Sequence, residues 1–126
     1  MTSGKGLPMK GTILIVDHDL ADGGYLRECL EKEGHHVTAL SNGAGLADFL
    51  SEGQSAVFIL DIDTPGVRER YILHQIRKNG SSRVLLVVSQ RGDPFLKEAI
   101  DLGVYGFIYK PFNLKEVCTL VHHLTY

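Results

Sequence analysis

The feature that most constrains the fold is a fivefold alternation of short apolar runs with longer segments of helical pattern. The short runs are largely continuous and β-branched, which predicts strands buried on both faces of a sheet. They cover residues 13–16, 36–40, 57–60, 84–88 and 106–109. Between and after them, apolar residues recur at helical spacing. The predicted helices cover residues 20–33 (or from 19), 44–51, 69–78, 94–102 and 113–124. Strict alternation of this kind predicts a parallel sheet with helices on both faces.

Composition predicts a single globular domain that neither binds nucleic acid nor spans a membrane. We expect a loose tail over residues 1–9 and one domain over 10–126, with 44% apolar and 22% charged residues. A net charge of −2 gives no basic footprint for nucleic acid. The apolar runs are too short to span a membrane, and no signal peptide is evident. The only cysteines, Cys29 and Cys118, are expected to be buried thiols, which fits a cytoplasmic, reducing location.

Polar side chains follow four of the five predicted strands. Asp17, His18 and Asp19 follow the first strand, and Asp61 and Asp63 follow the third. The fourth and fifth strands are followed by a hydroxyl and an ammonium group, those of Ser89 and Lys110. Ligands of open α/β sheets bind beyond the carboxyl ends of the strands, so these groups are expected to converge.

The chemistry of this set points to phosphoryl transfer. Clustered carboxylates form a hard-oxygen site suited to Mg²⁺, which also keeps water and phosphate oxygens as ligands. A carboxylate can attack phosphorus to form an aspartyl phosphate, and a nearby ammonium and hydroxyl can hold the phosphoryl oxygens. A single aspartate at a strand end is usually a turn residue. The coincidence of all four groups predicts a phosphoryl acceptor at Asp61.

The chain resembles the receiver domain of two-component response regulators, from Lys10 to Tyr126. The motifs that carry the resemblance are ILIVDHD (13–19), VFILDIDTPG (57–66), VLLVVSQ (84–90) and GFIYKPF (106–112). The resemblance implies a flavodoxin-like α/β fold with sheet order 2-1-3-4-5. It also implies a signalling domain rather than an enzyme, with a sensor histidine kinase or a histidine phosphotransfer protein as the phosphodonor.

The resemblance assigns roles at the phosphoryl site. Asp61 matches the phosphoacceptor, and Lys110 matches the lysine that pairs with the phosphoryl group, joined to Pro111 by a cis peptide bond. Asp17 matches a Mg²⁺ ligand, and the backbone carbonyl of Asp63 matches another. Mg²⁺ is therefore the expected cation, with Mn²⁺ as the alternative.

The resemblance also assigns a conformational switch. Ser89 matches the hydroxyl that follows the phosphoryl group, and Phe107 matches the aromatic side chain whose rotamer follows Ser89. The output surface is expected over residues 94–124, for a downstream effector or for a second copy of the chain. Direct binding to nucleic acid or to a membrane is not expected.

The sequence departs from the family pattern at three positions. His18 stands where the second acid of the metal pair is usual, Gln90 stands where a small residue is usual, and Asp63 adds an acid. A neutral imidazole suits Zn²⁺, Ni²⁺ or Mn²⁺ better than Mg²⁺, although a lone histidine in such a loop is more often structural. Either Asp63 or Asp19 replaces the missing acid, or the domain binds partners without phosphorylation.

Two other interpretations remain open at this point. Residues 61–64, DIDT, resemble the DxDxT motif of haloacid dehalogenase-like phosphatases, although that motif follows the first strand in those enzymes. A flavodoxin-like ligand or protein binder is the second. The adjacent histidine pairs at 35–36 and 122–123 are expected on the surface rather than in a metal site, because the side chains of adjacent residues do not face together.

Overall fold

The computed structural model describes residues 12–51, 57–78 and 83–125, so the predicted tail over residues 1–9 lies outside the described residues. Its five strands form one parallel sheet, in the order β2-β1-β3-β4-β5. They are β1 (Thr12–Val16), β2 (His36–Leu40), β3 (Val57–Asp61), β4 (Arg83–Val88) and β5 (Gly106–Tyr109). The predicted fold class and strand order are therefore confirmed.

Five α-helices alternate with the strands in the described ranges, and their bounds differ from the predicted ones by at most two residues. They are α1 (Leu20–Lys32), α2 (Leu46–Ser51), α3 (Glu69–Lys78), α4 (Phe95–Asp101) and α5 (Leu114–Thr125). A short 3₁₀ turn, Gly43–Gly45, precedes α2. The side chain of Asn113 accepts the N–H of Glu116 at 3.1 Å, as its predicted role as the cap of α5 requires. No helix in the described ranges is long and apolar enough to cross a membrane.

Alternate residues of each strand contribute to two separate cores, one on each face of the sheet. In β1, Leu14 and Val16 pack with α2, α3 and α4, whereas Ile13 and Ile15 pack with α1 and α5. All four side chains are essentially inaccessible to solvent. Burying an aliphatic side chain of this size contributes about 1.5–3 kcal/mol, so both cores hold the central strands firmly in place.

A close contact between two loops fixes the turn that follows β3. The N–H of Gly43 donates to the carbonyl of Pro65 at 2.9 Å. A Cβ atom on Gly43 would lie 2.0 Å from the carbonyl oxygen of Gly66, which is far inside van der Waals contact. Gly66 itself has a φ of +82°, a conformation that glycine adopts without strain. The turn after Asp61 is therefore held by backbone atoms of the loop that connects β2 to α2.

Two expectations about histidine and cysteine burial are corrected where α1 and α5 pack together. His35 is buried, and its ring meets that of His122 edge-on with the centroids 5.9 Å apart. Cys118 is buried as expected, whereas Cys29 is only half-buried. Burial, followed by contact with Cys29, raises the pKa of the Cys118 thiol to about 12, so this thiol remains protonated at neutral pH.

Candidate functional site

The polar side chains after the strands converge at the carboxyl edge of the sheet. Asp61 is the last residue of β3 and is fully buried. Lys110, which follows β5, donates from Nζ to Oδ2 of Asp61. The peptide bond between Lys110 and Pro111 is cis, as the family resemblance implied. The structure therefore pairs a buried carboxylate with the ammonium group of a lysine that follows β5 and lies 49 residues away in sequence.

The carboxylate of Asp61 has a defined partner on each oxygen. Oδ1 accepts the backbone N–H of Asp63 at 2.9 Å, and Oδ2 accepts from Lys110. Burial alone would lower the pKa of Lys110, but the hydrogen bond and the negative charge of Asp61 outweigh burial and raise it. Lys110 is therefore a permanent cation beside Asp61.

Asp17 places a second buried carboxylate beside Asp61. It is 4% exposed, and its Oδ1 accepts the backbone N–H of Asp19 at 2.8 Å. Its Oδ2 is buried with no hydrogen-bond partner among the described residues. Burial raises the pKa of Asp17 to about 6, the negative charge of Asp61 adds to that rise, and the bond from Asp19 opposes it. A carboxylate oxygen of Asp17 lies within 4.8 Å of one of Asp61, and carboxylates at that distance favour a cation or a proton between them.

His18 lies against both carboxylates. Its Nδ1 is 3.4 Å from Oδ2 of Asp61 and 3.9 Å from Oδ1 of Asp17. The backbone N–H of His18 donates to Oγ1 of Thr64 at 3.0 Å, and Thr64 is itself buried. Sequence reasoning missed the role of Thr64, because the two residues are 46 positions apart and no local pattern links them.

The side chains of Asp19 and Asp63 have hydrogen-bond partners outside the group formed by Asp17, His18 and Asp61. Oδ1 of Asp19 caps α1 by accepting the N–H groups of Ala21 and Asp22, both at 3.0 Å. Oδ2 of Asp63 accepts the hydroxyl of Ser89 at 2.8 Å. Neither side chain belongs to the group of Asp17, His18 and Asp61, which is the candidate metal-holding group among the described residues.

The described residues contain one group of three side chains whose arrangement could hold a metal ion: Asp17, His18 and Asp61. Their potential ligand atoms all lie within 4.8 Å of one another. The two carboxylates are suitable ligands for Mg²⁺, which prefers oxygen. The imidazole is not, because nitrogen ligands favour first-row transition metals over Mg²⁺. The donor set therefore fits Mg²⁺ at two of its three positions.

Residues of the expected switch lie on β5 and after β4. Phe107 is half-buried, with its ring centroid 6.5 Å from that of Tyr109. The guanidinium of Arg91 lies 4.0 Å from the centroid of Tyr109, a cation–π contact that sequence reasoning missed. No motif signals it, since Arg91 lies in the exposed loop just after Gln90. The contact links that loop to β5, next to Phe107.

Fold and site together define a flavodoxin-like α/β domain with two buried carboxylates, Asp17 and Asp61, beside Lys110 at the carboxyl edge of the sheet. The chain matches the response regulator receiver domain over residues 13–122, and it belongs to that family. It is therefore a receiver domain of two-component signalling, a signalling module rather than an enzyme. The likeness of DIDT (61–64) to a phosphatase motif therefore does not indicate a hydrolase. The interpretation as a general flavodoxin-like binder gives way to that of a receiver domain.

Curated relatives support the family and are longer than this chain. The transcriptional regulatory protein YkoG of Bacillus subtilis is 32% identical over 109 residues, which are 86% of this chain and 48% of YkoG. The aerobic respiration control protein ArcA of Escherichia coli K12 is 26% identical over 89% of this chain and 47% of its own length. The chain thus spans about half the length of these relatives.

Solved structures share the fold. The signal receiver domain of a LuxO repressor protein from Vibrio parahaemolyticus superimposes with a TM-score of 0.81 at 18% identity, over 93% of this chain and 91% of that one. Full-length FixJ from B. japonicum superimposes with a TM-score of 0.78 at 23% identity, over 92% of this chain and 58% of that one. At these identities the likeness concerns the fold alone.

Proposed function

We propose that Asp61 of this receiver domain accepts a phosphoryl group. The observation that carries the proposal is the fully buried Asp61 carboxylate, hydrogen-bonded to Lys110 and adjacent to Asp17. A receiver domain implies a histidine kinase as partner, and a histidine phosphotransfer protein is the alternative donor. The chain acts in the cytoplasm in this proposal, and its net charge of −2 gives it no electrostatic footprint for nucleic acid or anionic membrane.

The transfer is a stoichiometric displacement at phosphorus. A carboxylate oxygen of Asp61 forms a bond to phosphorus while the bond from phosphorus to the donor's imidazole nitrogen breaks, and the electron pair remains on that nitrogen. Lys110 offsets the negative charge on the phosphoryl oxygens. A divalent cation, when bound by Asp17 and Asp61 with the Asp63 carbonyl as the implied third contribution, neutralises further charge there. The resemblance implies Mg²⁺, with Mn²⁺ as the alternative.

The proposed switch begins with a change of partner for Ser89. In the structure its hydroxyl donates to Asp63 at 2.8 Å, so a phosphoryl group on Asp61 has to compete with Asp63 for that hydroxyl. When Ser89 turns towards the phosphoryl group, Phe107 can move into the space that it leaves. The population then shifts towards a conformation whose 94–124 surface binds an effector or a second copy of the chain.

Acetyl phosphate tests the proposal directly. We expect the intact protein to gain the mass of one phosphoryl group in the presence of Mg²⁺ or Mn²⁺, and the Asp61→Asn variant to gain none. Asp101→Asn makes the same chemical change at an exposed position on α4 and should be labelled like the wild type. Persistent label on the Asp61 variant would refute the assignment. No label with any divalent cation would favour a pseudo-receiver that binds its partners without phosphorylation.

A further inference from the structure

The third donor of the candidate cation site is an imidazole nitrogen, and its spacing suits a metal ligand. Nδ1 of His18 lies 3.4 Å from Oδ2 of Asp61 and 3.9 Å from Oδ1 of Asp17. Ligands bound at about 2.0–2.1 Å in a tetrahedral site lie about 3.3–3.4 Å apart. The first separation matches, and the second needs a contraction of about half an ångström, which a side-chain rotation can supply. The third separation, between the ligand oxygens of Asp17 and Asp61, is within 4.8 Å.

An unsatisfied oxygen provides a second, independent indication of a ligand. Asp17 is only 4% exposed, and its Oδ2 is buried with no hydrogen-bond donor among the described residues. Leaving a carboxylate oxygen buried without a partner is costly, and buried charges in proteins are usually paired or bound to metals. The adjacent Lys110 ammonium is hydrogen-bonded to Asp61 instead. A cation beside Asp17, or a proton shared with Asp61, would satisfy this oxygen.

The loop holds His18 in place while leaving its ring accessible. The bond from the His18 backbone to Thr64 is 3.0 Å long, and the ring nitrogen Nδ1 also lies 3.4 Å from the same threonine oxygen. The His18 side chain is 43% exposed, so a hydrated ion can reach it from solvent. A ligand that is anchored through its backbone and open to solvent on one side is suited to exchangeable metal binding.

We propose that this site binds a first-row transition dication such as Zn²⁺ or Co²⁺ in preference to Mg²⁺, with His18 Nδ1 as a ligand beside Asp17 and Asp61. The inference rests on the proposed function, since it names the cation of the same site. Imidazole is a good ligand for these ions, and Mg²⁺ keeps an oxygen shell. The other explanation is that the ring only hydrogen-bonds to Asp61 or Thr64, and it predicts no selectivity for the metal.

Calorimetric titration of the untagged chain with Co²⁺, Zn²⁺ and Mg²⁺ separates the two explanations. In His18→Asp, which restores an oxygen donor, we expect the ratio of Co²⁺ to Mg²⁺ affinity to fall at least about tenfold. His18→Ala, which removes the imidazole without adding charge, should weaken Co²⁺ binding and leave Mg²⁺ binding near the wild-type level. An unchanged ratio in both variants would overturn the proposal.

A matched control separates this site from the other histidines of the chain. His74→Asp makes the same substitution at an exposed position on α3 and should leave the ratio at the wild-type value. In NMR spectra of the Co²⁺-loaded wild type, we expect strongly shifted imidazole proton signals that disappear in His18→Asp and persist in His74→Asp. The reverse pattern would place the ion on a surface histidine and refute the role of His18.

The metal measurements and the labelling experiment can fail independently. If no cation supports labelling of Asp61 but the Co²⁺ to Mg²⁺ ratio still depends on His18, the proposed phosphoacceptor function fails and the metal inference stands. If labelling proceeds in Mg²⁺ and the ratio ignores His18, the metal inference fails and the phosphoacceptor function stands.

Discussion

Two parts of the site depart from the family pattern in opposite directions. The cation side, which consists of Asp17 and His18 after β1, has lost an acid, because an imidazole stands at position 18. The switch side, which consists of Asp63 after β3 and Ser89 after β4, has gained one. The formal charge of the site is thus unchanged, although the two departures have different physical consequences.

The imidazole at position 18 and the acid at position 63 have different neighbours. The imidazole of His18 lies 3.4 Å from Asp61, so it changes the donor set around the proposed phosphoacceptor. The carboxylate of Asp63 instead accepts the Ser89 hydroxyl at 2.8 Å, so it holds the residue that we propose as the switch. Hydrogen bonds and metal ligation act over a few ångströms, and which group lies within that distance matters more than the total charge.

The largest expected effect comes from removing a carboxylate on the cation side. Asp17→Asn should weaken Co²⁺ binding at least about a hundredfold, because one of only two carboxylate donors is lost. Asp63→Asn, the same substitution on the switch side, should change it by no more than about threefold, since its side chain points to Ser89 and its backbone is kept. Calorimetry measures both. Equal losses of Co²⁺ affinity in the two variants would mean that the cation side and the switch side do not act separately.

The next effect is a pH dependence of stability in the metal-free protein. The pKa of Asp17 is raised from 3.8 to about 6 by burial, with the charge of Asp61 contributing. Between these values the folded state binds more protons than the unfolded state, so this carboxyl makes the free energy of unfolding fall as pH rises from about 4 to 6. The fall amounts to at most about 3 kcal/mol.

Urea unfolding in EDTA from pH 4 to 7.5 measures this effect as the difference between wild type and Asp17→Asn. The variant should gain stability relative to the wild type as pH rises from about 4 to 6, since it carries no titrating group at this position. Asp63→Asn serves as the comparison from the switch side. Wild-type and Asp17→Asn curves that run parallel would show that burial does not disfavour the charged form of Asp17.

The smallest expected effect is the coupling on the switch side. A double-mutant cycle of Ser89→Ala and Asp63→Ala should give a coupling energy of about 0.5–1.5 kcal/mol, towards the lower end because both residues are exposed. Unfolding by urea without metal measures it. Strictly additive effects would mean that Ser89 is already free in the unphosphorylated protein, and the proposed competition for its hydroxyl would not occur.

The architecture and the identity of the central groups follow from patterns that are visible in the sequence. Apolar runs such as Ile13–Val16 and Val57–Leu60 mark buried parallel strands locally, and the alternation with helices leaves few topologies. Asp17, Asp61 and Lys110 were predictable because the carboxyl ends of parallel strands always meet at one edge of the sheet.

Only the tertiary structure decided what the neighbouring side chains do. Asp19 caps α1, and Asp63 binds Ser89 across 26 positions in sequence. Thr64 anchors the His18 backbone across 46 positions, and His35 is buried against His122. Strand and helix patterns arise from local periodicity, which a sequence displays directly. A side chain's partner depends instead on distances between loops from different strands, and those distances exist only once the sheet has assembled.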